Sequence, residues 1–528
     1  MMKNITFILF MSVLVLSSCK EDGFQETLQL GAADFQISSD LAIAEKNKNE
    51  SSLLPFYKDT HYQYELAKKG NLAGKLHIKL REVNNGDLLV FMQLEGIAEK
   101  SVSAAGTLSI DSSGEAEFID WEPRVIERPH DKNTGDDQST QPIGLFKLKD
   151  ADSSELVLSK QQISSRLRTE YSNGLSSQVR ILHDERKEYK LEEKEDRTAI
   201  RFQLEAAKGQ LAEQWFMLST GDLFSNSQEL EDWINYQIDS YKEANGWLTA
   251  GGPMKKLPWS IEPYTKHGYG RNLGVMVDRE AIDRYISTKE RYYYNLMVNS
   301  AADLYEYREE KGTKIWETEY TSTWLKSAYG LTAPYIDTRH NEFIGLYLAK
   351  IGEELNAPQL MKAQLNYADY LLGQIKEGNV IKVADGLLIA DYFSPYDQKQ
   401  KTHASMNHVL GGANLLLDCY EQSREKKYLE AAKKIRKAIE NLGTDWIRES
   451  GDLWYQVNPD LTFAGNDYEQ LTLVDLLKHQ NKWESIGENR SLVIDQLIES
   501  KTGYLAEENV ILLDEVIAEL DRQGFGKR

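Results

Sequence analysis

Residues 74–94 read GKLHIKLREVNNGDLLVFMQL, and this stretch decides the fold of the first half of the chain. From Leu76 to Leu80 every second residue is apolar, as in a strand with one buried face. Asn85-Gly86 then supplies a favoured two-residue turn, and residues 88–94 form a second apolar run. The stretch therefore predicts a β-hairpin.

Similar short segments on both sides of this hairpin predict a β-rich, sandwich-like domain over residues 54–225. Turn-like polar clusters separate these segments, which is typical of antiparallel sheets. The further strand candidates are residues 106–111, 116–121, 178–183, 198–204 and 213–219.

After about Leu230 the apolar period becomes that of helices and stays so to the end of the chain. Paired helices joined by long loops rich in Trp, Tyr, Pro and Gly predict an α/α toroid over residues 226–528, in which loops and inner helix ends build one cleft. The helical candidates are residues 230–244, 279–310, 338–353, 358–376, 403–422, 427–441, 466–480 and 507–522.

The first residues have the form of a lipoprotein signal peptide. Lys3 precedes an apolar run over residues 5–16, and small residues lead to Cys19. We expect residues 1–18 to be removed and Cys19 to carry the lipid that anchors the protein in the cell envelope. The alternative is an ordinary secretory signal with a chance cysteine, and both alternatives predict export.

The residues after Cys19 are expected to form a tether. Lys20-Glu21-Asp22 resembles an acidic signal that directs lipoproteins of the outer membrane to the cell surface. No apolar period persists over residues 19–53, so this segment is predicted to hold the folded part off the membrane.

Composition limits the partners. With 62 basic and 83 acidic residues the formal charge is -21, which disfavours nucleic acid as a partner and requires a locally basic cleft for any polyanion. The 28 Tyr and 10 Trp residues far outnumber the 15 Phe residues, and such amphipathic rings suit sugar surfaces. Zinc, phosphate-loop and nucleophile-elbow signatures are missing, so we expect neither a metal nor a nucleotide cofactor.

Two loops carry cations in otherwise acidic surroundings. Residues 251–274 combine glycines and rings with Arg271, and either bind an anionic sugar or form a surface loop pinned by its rings. In the second loop, Arg339, His340 and Asn341 fall on the first turn of a helix capped by Asp337. That helix start either receives a substrate carboxylate or only pairs Arg339 with a local acid.

Two further segments place polar groups near helix starts. Asn407 and Asn414 belong to a polar stripe in an apolar helix, where they either line a wet cleft or satisfy buried backbone groups. Trp454, Tyr455 and Tyr468 lie at element boundaries, where the rings either face one cleft or simply pack at helix ends.

From about Tyr335 to His479 these loops resemble the C-terminal helical domain of the D-glucuronyl C5-epimerases. The segment Asp391-Tyr392 to Tyr396 and the following helix with Met406-Asn407-His408-Val409-Leu410-Gly411-Gly412 match the loop and the Leu-Asn-Gly helix of that family. Tyr455, Asp467 and Tyr468 match its two later segments. The Arg-His after the first of these tyrosines and both histidines after the second are absent here.

The resemblance implies proton removal at C5 of a uronic acid in a polysaccharide and its return from the opposite face. It assigns the acid–base roles to Tyr392, Tyr455 and Tyr468, with His340 and His403 as substitutes for missing bases. A cation must hold the carboxylate, and nearby positive charge or hydrogen bonds to the phenolate must lower the tyrosine pKa values. Arg271 or Arg339 is expected to supply that cation.

The remaining site candidates are expected to contact substrate; they are Asn341, Asn407, Asn414 and Trp454. Two interpretations stay open. An epimerase, or a lyase that shares the first step, requires a deep cleft with the three tyrosines and a cation. A non-catalytic glycan-binding lipoprotein requires rings along an open groove.

Overall fold

The computed structural model describes residues 23–112, 116–121, 142–149 and 155–526, without the side chains of residues 239–244. Its first part is built of strands, as predicted. They are β1 (Phe24–Leu30), β2 (Ala33–Ser39), β3 (Ala42–Ser51), β4 (Tyr57–Lys68), β5 (Asn71–Val83), β6 (Leu88–Gly96), β7 (Val102–Asp111), β8 (Glu117–Asp120), β9 (Gly144–Lys147), β10 (Glu155–Leu158), β11 (Gln161–Glu170), β12 (Ser176–Arg186), β13 (Lys190–Lys194), β14 (Arg197–Ala206) and β15 (Gln210–Ser219).

The predicted hairpin is confirmed. Strands β5 and β6 pair antiparallel with Leu80 opposite Val90, and Gly86 in the turn has a φ of 92°. Positive φ at this position is the conformation that glycine adopts without strain.

The strands form two sheets that share one core. A five-stranded sheet has the order β1-β2-β7-β14-β13, and β12-β11-β15-β6-β5-β4-β3 runs through a larger sheet. Phe35 and Phe202 of the first sheet contact Phe216 of the second, with the rings of Phe35 and Phe216 5.2 Å apart. The apolar faces of both sheets are thereby buried against each other.

The expected tether over residues 19–53 is wrong for most of its length, because residues 24–51 form β1, β2 and β3. Phe35 and Ile37 are fully buried in the sandwich core, and with Ala33 they form a short period of two that the surrounding polar residues make easy to overlook. Strand β3 is an edge strand whose polar side chains face solvent, so its composition resembles that of a linker.

The second part combines helices with short strands. It contains α1 (Ser227–Ala244), β16 (Gly246–Thr249), β17 (Gly252–Lys256), β18 (Ile261–Glu262), β19 (Gly268–Arg271), α2 (Leu273–Met276), α3 (Arg279–Thr288), α4 (Arg291–Lys311), β20 (Thr321–Ser322), α5 (Thr323–Tyr329), β21 (Ile336–Asp337), α6 (Thr338–Glu354), α7 (Pro358–Glu377), β22 (Val380–Val383), β23 (Gly386–Ile389), β24 (Tyr392–Phe393), β25 (Ala404–Ser405), α8 (Met406–Ser423), α9 (Lys426–Leu442), a 3-10 turn (Gly443–Trp446), β26 (Trp454–Val457), β27 (Phe463–Asn466), α10 (Leu471–Ser485), α11 (Leu492–Glu507) and α12 (Asp514–Gln523).

The helical half is confirmed in outline, with four corrections. Strands β16, β17 and β19 extend the large sheet beyond the expected boundary at residue 225. The helix expected over residues 279–310 is broken where Lys289 adopts a left-handed conformation with φ 60°. The helix expected from residue 466 begins at Leu471, because β27 pairs with β26. Helix α11 was not predicted.

Helix α8 is the centre of the helical part. It packs against α6, α7, α9 and α10, and its residues from Met406 to Leu417 are all buried. This explains its apolar sequence. The toroidal arrangement of the whole set remains a prediction. Among the described helices none is both long enough and apolar enough to cross a bilayer.

Candidate functional site

Six rings from five separate segments meet at the ends of short strands in the helical part. We call them the aromatic cluster: Trp324, Tyr329, Tyr392, His403, Tyr455 and Tyr468. The ring of His403 lies 5.0 Å from that of Trp324, 5.7 Å from those of Tyr329 and Tyr392, and 6.0 Å from that of Tyr455. Tyr455 in turn contacts Tyr468, with ring centres 5.8 Å apart.

The short strands explain this convergence. Strand β24 pairs with β21, which brings Tyr392 beside Asp337 at the start of α6. Strand β25 pairs with β26, which places Tyr455 near the start of α8. The structure thus unites four of the five predicted catalytic residues, Tyr392, His403, Tyr455 and Tyr468.

A chain of polar contacts runs through the cluster. Tyr329 Oη lies 3.1 Å from His403 Nδ1, and His403 Nε2 lies 3.1 Å from Asp391 Oδ2. The Asp391 carboxylate also accepts hydrogen bonds from the backbone N–H and the hydroxyl of Ser405. His403 and Asp391 are fully buried, whereas Tyr329 is partly exposed. His403 Nε2 forms no hydrogen bond with the described residues, so Asp391 acts on His403 through its charge, and the hydrogen-bonded pair that can share a proton is Tyr329 with His403.

The charge state of this chain follows from its surroundings. Burial alone would raise the pKa of Asp391, but His408, His403 and the hydrogen bond from Ser405 outweigh it and lower that pKa. Burial lowers the pKa of His408, whose Nδ1 lies 2.8 Å from Thr338 Oγ1. Asp391 is therefore a carboxylate next to a neutral His408 near neutral pH.

The three predicted tyrosines are neutral phenols rather than phenolates. Burial, and next the Asp337 carboxylate, raises the pKa of both Tyr392 and Tyr468. Burial together with Asp391 raises that of Tyr455. The expectation that a nearby cation lowers these pKa values is wrong, since the neighbouring charges are carboxylates. Such phenols can donate hydrogen bonds, but a raised pKa makes them weaker acids than free tyrosine and leaves little phenolate to act as a base.

The outer face of the cluster is open to solvent. Tyr468 is 51% exposed and Trp324 is 44% exposed, while Tyr392 and Tyr455 are partly buried behind them. Exposed rings with hydroxyl groups at their edges match the alternating C–H faces and hydroxyls of a sugar.

Arg339 is not available as a carboxylate anchor. Its buried guanidinium contacts Glu342 Oε2 at 2.7 Å and Asp475 Oδ2 at 2.6 Å, and it donates to the carbonyl of Asn407 at 3.0 Å. A Cβ atom on Gly411 would lie 2.0 Å from this guanidinium, so the glycine makes room for the pair. Arg339 joins α6, α8 and α10.

The three asparagines expected to contact substrate are structural. Asn341 is fully buried and exchanges hydrogen bonds with the backbone of Trp316. Asn414 bonds His479 Nδ1 at 2.7 Å and the carbonyl of Asp475. The side chain of Asn407 is also buried. Asn414 of the α8 stripe therefore satisfies groups between helices, whereas Asn407 Oδ1 is buried and forms no hydrogen bond with the described residues.

The other three candidates lie outside the cluster. Arg271 is bound to Glu319 and Glu310 beside the large sheet, which rules it out as the cation of the tyrosines. His340 is partly buried, with Nδ1 3.6 Å from Asp337 Oδ2. Trp454 is partly exposed under the Arg448 guanidinium, which lies 5.0 Å from its ring. Cys19, the expected lipid attachment site, lies outside the described residues.

Sequence reasoning missed Trp324, Tyr329, Asp391 and His408 as members of the site. Their segments were singled out, but nothing in the local pattern shows that residues 324–329 fold against residues 391–408. A signal for Asp391 was its place next to Tyr392 in a loop leading to a helix.

Within the part of the chain that the structure describes, one group could hold a metal by geometry. Single ligand atoms of Asp59, His61 and Glu306 lie within 4.8 Å of one another. Asp59, however, pairs with Arg81 and Glu306 with Lys79, so an ion would have to displace both cations. We assign this group a structural role.

Comparison with known proteins gives weak likenesses to solved structures. No family model and no curated protein matches the chain. A crystal structure of D-mannose isomerase is 13% identical, with a TM-score of 0.32, over 44% of this chain and 59% of the other. An alpha-1,6-mannanase of Salegentibacter sp. HEL1_6 is 15% identical, with a TM-score of 0.31, over 45% and 61%. A glycoside hydrolase family 76 mannosidase of Bacteroides thetaiotaomicron is 15% identical, with a TM-score of 0.33, over 47% and 65%. The chain thus spans less than two thirds of each.

Proposed function

We propose that the protein processes glycans by proton transfer at the aromatic cluster. The observation that carries this proposal is the chain from Tyr329 through His403 to Asp391, which opens on a ring-lined surface. His403 takes the phenol proton of Tyr329, the Asp391 carboxylate stabilises the resulting imidazolium, and the phenolate is the base. A protonated Tyr455 or Tyr468 then serves as the acid.

The finer proposal is removal of the C5 proton of a uronic acid residue, as the resemblance to D-glucuronyl C5-epimerases implies. Return of a proton to the other face gives epimerisation, and loss of the 4-substituent gives a lyase. This refines the role of the tyrosines. Burial raises the pKa of Tyr329 as well, but its hydroxyl lies 3.1 Å from His403 Nδ1, which can take its proton, so Tyr329 replaces Tyr392 as the candidate base.

The experiment is hydrogen exchange in deuterium oxide on a panel of uronate polymers, with binding measured in parallel. We expect deuterium at C5 of one polymer. Tyr329→Phe and Tyr468→Phe should each slow exchange about 100-fold or more, the usual contribution of a positioned acid or base. Tyr396→Phe is the matched control: this tyrosine is 52% exposed, and its hydroxyl bonds Glu317 outside the cluster.

Glycan binding without catalysis is the second candidate. It is favoured by the complete burial of His403 and by the carboxylates beside the tyrosines. It predicts a polymer that binds and does not exchange, with binding weakened by Trp324→Ala and not by Tyr329→Phe. If no polymer binds or exchanges, both candidates fail.

We also propose that the protein acts in the cell envelope, held by lipid on Cys19. The signal-peptide pattern of residues 1–19 supports this location. Chemistry that needs only side chains as proton carriers suits a compartment outside the cytoplasm.

A further inference from the structure

A cavity of about 580 Å³ lies between the large sheet and helices α2, α3, α4 and α6. Among the described residues it shares no lining residue with the aromatic cluster. Rings dominate its wall: Trp215, Trp233, Tyr236, Trp247, Tyr292 and Phe343. This volume and lining suit a ligand the size of one or two sugar rings.

Besides Lys255, the cavity wall carries the cation Arg279, which forms no ion pair with a carboxylate of the described residues. It is the first residue of α3, it is exposed, and its guanidinium lies 4.1 Å from the ring centre of Phe343. No carboxylate of the described residues forms an ion pair with it. In a chain with a formal charge of -21, a guanidinium left unpaired and held over a ring is open to an anion brought by a ligand.

The carboxylates that line the same cavity are already occupied. Asp303 pairs with Arg81, and Glu280 pairs with Arg284. Asp278 caps α3 by accepting a hydrogen bond from the backbone N–H of Ala281. The charge that Arg279 presents to the cavity is therefore not cancelled by these neighbours.

His340 adds a polar group to the wall. Its Nδ1 lies 3.6 Å from Asp337 Oδ2, beyond hydrogen-bond distance, and forms no hydrogen bond with the described residues. This atom is buried, so a ligand hydroxyl in the cavity would meet the other ring nitrogen, Nε2, which lies on the side of the lining residue Gly274. The predicted site residue His340 thus belongs to this cavity and not to the aromatic cluster.

We propose that the cavity binds a carboxylated sugar, with the carboxylate on the Arg279 guanidinium and the sugar ring against the aromatic wall. A single planar guanidinium matches one carboxylate in a bidentate pair. The choice of a sugar rests on the proposed function, whereas the cavity and its free cation do not.

The test is calorimetric titration of the full chain with D-glucuronate and, separately, with D-glucose. We expect glucuronate to bind more tightly, and Arg279→Gln to weaken its binding about tenfold or more, as for loss of a charge-assisted contact. The weak binding of glucose should not change. Arg308→Gln is the matched control, since Arg308 also lies over a ring, 4.6 Å from Tyr305, but outside the cavity.

The two proposals fail separately. Equal binding of both sugars, or unchanged glucuronate binding by Arg279→Gln with a native thermal unfolding curve, overturns the cavity proposal. Tyr329→Phe should leave glucuronate binding intact even where it removes exchange. Exchange on a polymer without glucuronate binding would therefore contradict this inference and leave the proposed function standing.

Discussion

Gly411 shows how one missing side chain makes a buried charge arrangement possible. The Arg339 guanidinium and the Glu342 carboxylate meet directly above its Cα atom, each 2.0 Å from where a Cβ atom would lie. Asp475 completes the arrangement from α10. In the sequence the glycine belongs to the Leu410-Gly411-Gly412 motif of an apolar helix, but its neighbours come from helices more than 60 residues away in the chain.

We predict that Gly411→Ala lowers the free energy of unfolding by about 3 kcal/mol or more, because the methyl group separates a buried ion pair that cannot move into solvent. Gly412→Ala is the control on the same helix, since its added methyl group would lie 3.6 Å from Leu371 and improves helix propensity. Urea unfolding of both variants measures the difference. Equal stability of the two would contradict the prediction.

Strand β5 and helix α4 are joined by a second buried charge cluster. Arg81 of β5 is fully buried, with Nη2 2.8 Å from Asp59 Oδ2 and Nη1 2.7 Å from Asp303 Oδ1. Lys79 and Glu306 extend the cluster toward solvent. This contact fixes the sheet against the helical part. The sequence pattern of the strand shows only that these residues are polar, not that they form buried ion pairs.

We expect Arg81→Met to lower the free energy of unfolding by about 3 kcal/mol, because Asp59 and Asp303 keep their charges in a buried place with Lys79 alone beside them. Arg166→Met removes an exposed ion pair with Glu95 and should change the free energy of unfolding by less than about 1 kcal/mol. Guanidinium unfolding compares the two. A loss from Arg166→Met as large as that from Arg81→Met would refute this account.

At the scale of the whole molecule, the two halves share a continuous apolar core. Phe91 and Trp215 of the large sheet belong to the same buried cluster as Tyr292 and Met297 of α4. The helical part has its own core around α8. The protein therefore holds the aromatic cluster and the cavity of Arg279 in one fixed framework.

We predict that Cys19→Ser abolishes labelling of the protein by a fatty-acid probe and moves it from the membrane fraction to the soluble fraction of the producing bacterium. Several acyl chains hold a protein firmly, so the shift should be nearly complete. Cys419→Ser is the control, because Cys419 is fully buried and should keep the label. Labelling that survives Cys19→Ser would show that another residue carries the lipid.

The sequence by itself determined the hairpin of β5 and β6, the order of a strand-rich part followed by a helical part, and most helices from α6 to α10. Hydrophobic period and turn residues act over a few neighbouring positions, so they can be read locally. Tyr392, His403, Tyr455 and Tyr468 were predicted as site residues from the resemblance to the D-glucuronyl C5-epimerases, which rests on short motifs that can also be read locally.

Only the tertiary structure decided which polar residues face each other. Residues 24–51 form strands where the sequence predicted a tether, because an edge strand and a linker share a polar composition. In the fold, Arg339 and Arg271 form ion pairs with carboxylates, and Tyr329 lies beside His403. Arg279 forms no ion pair with the described residues. Charge pairing depends on distances across the fold, and no local pattern encodes those distances.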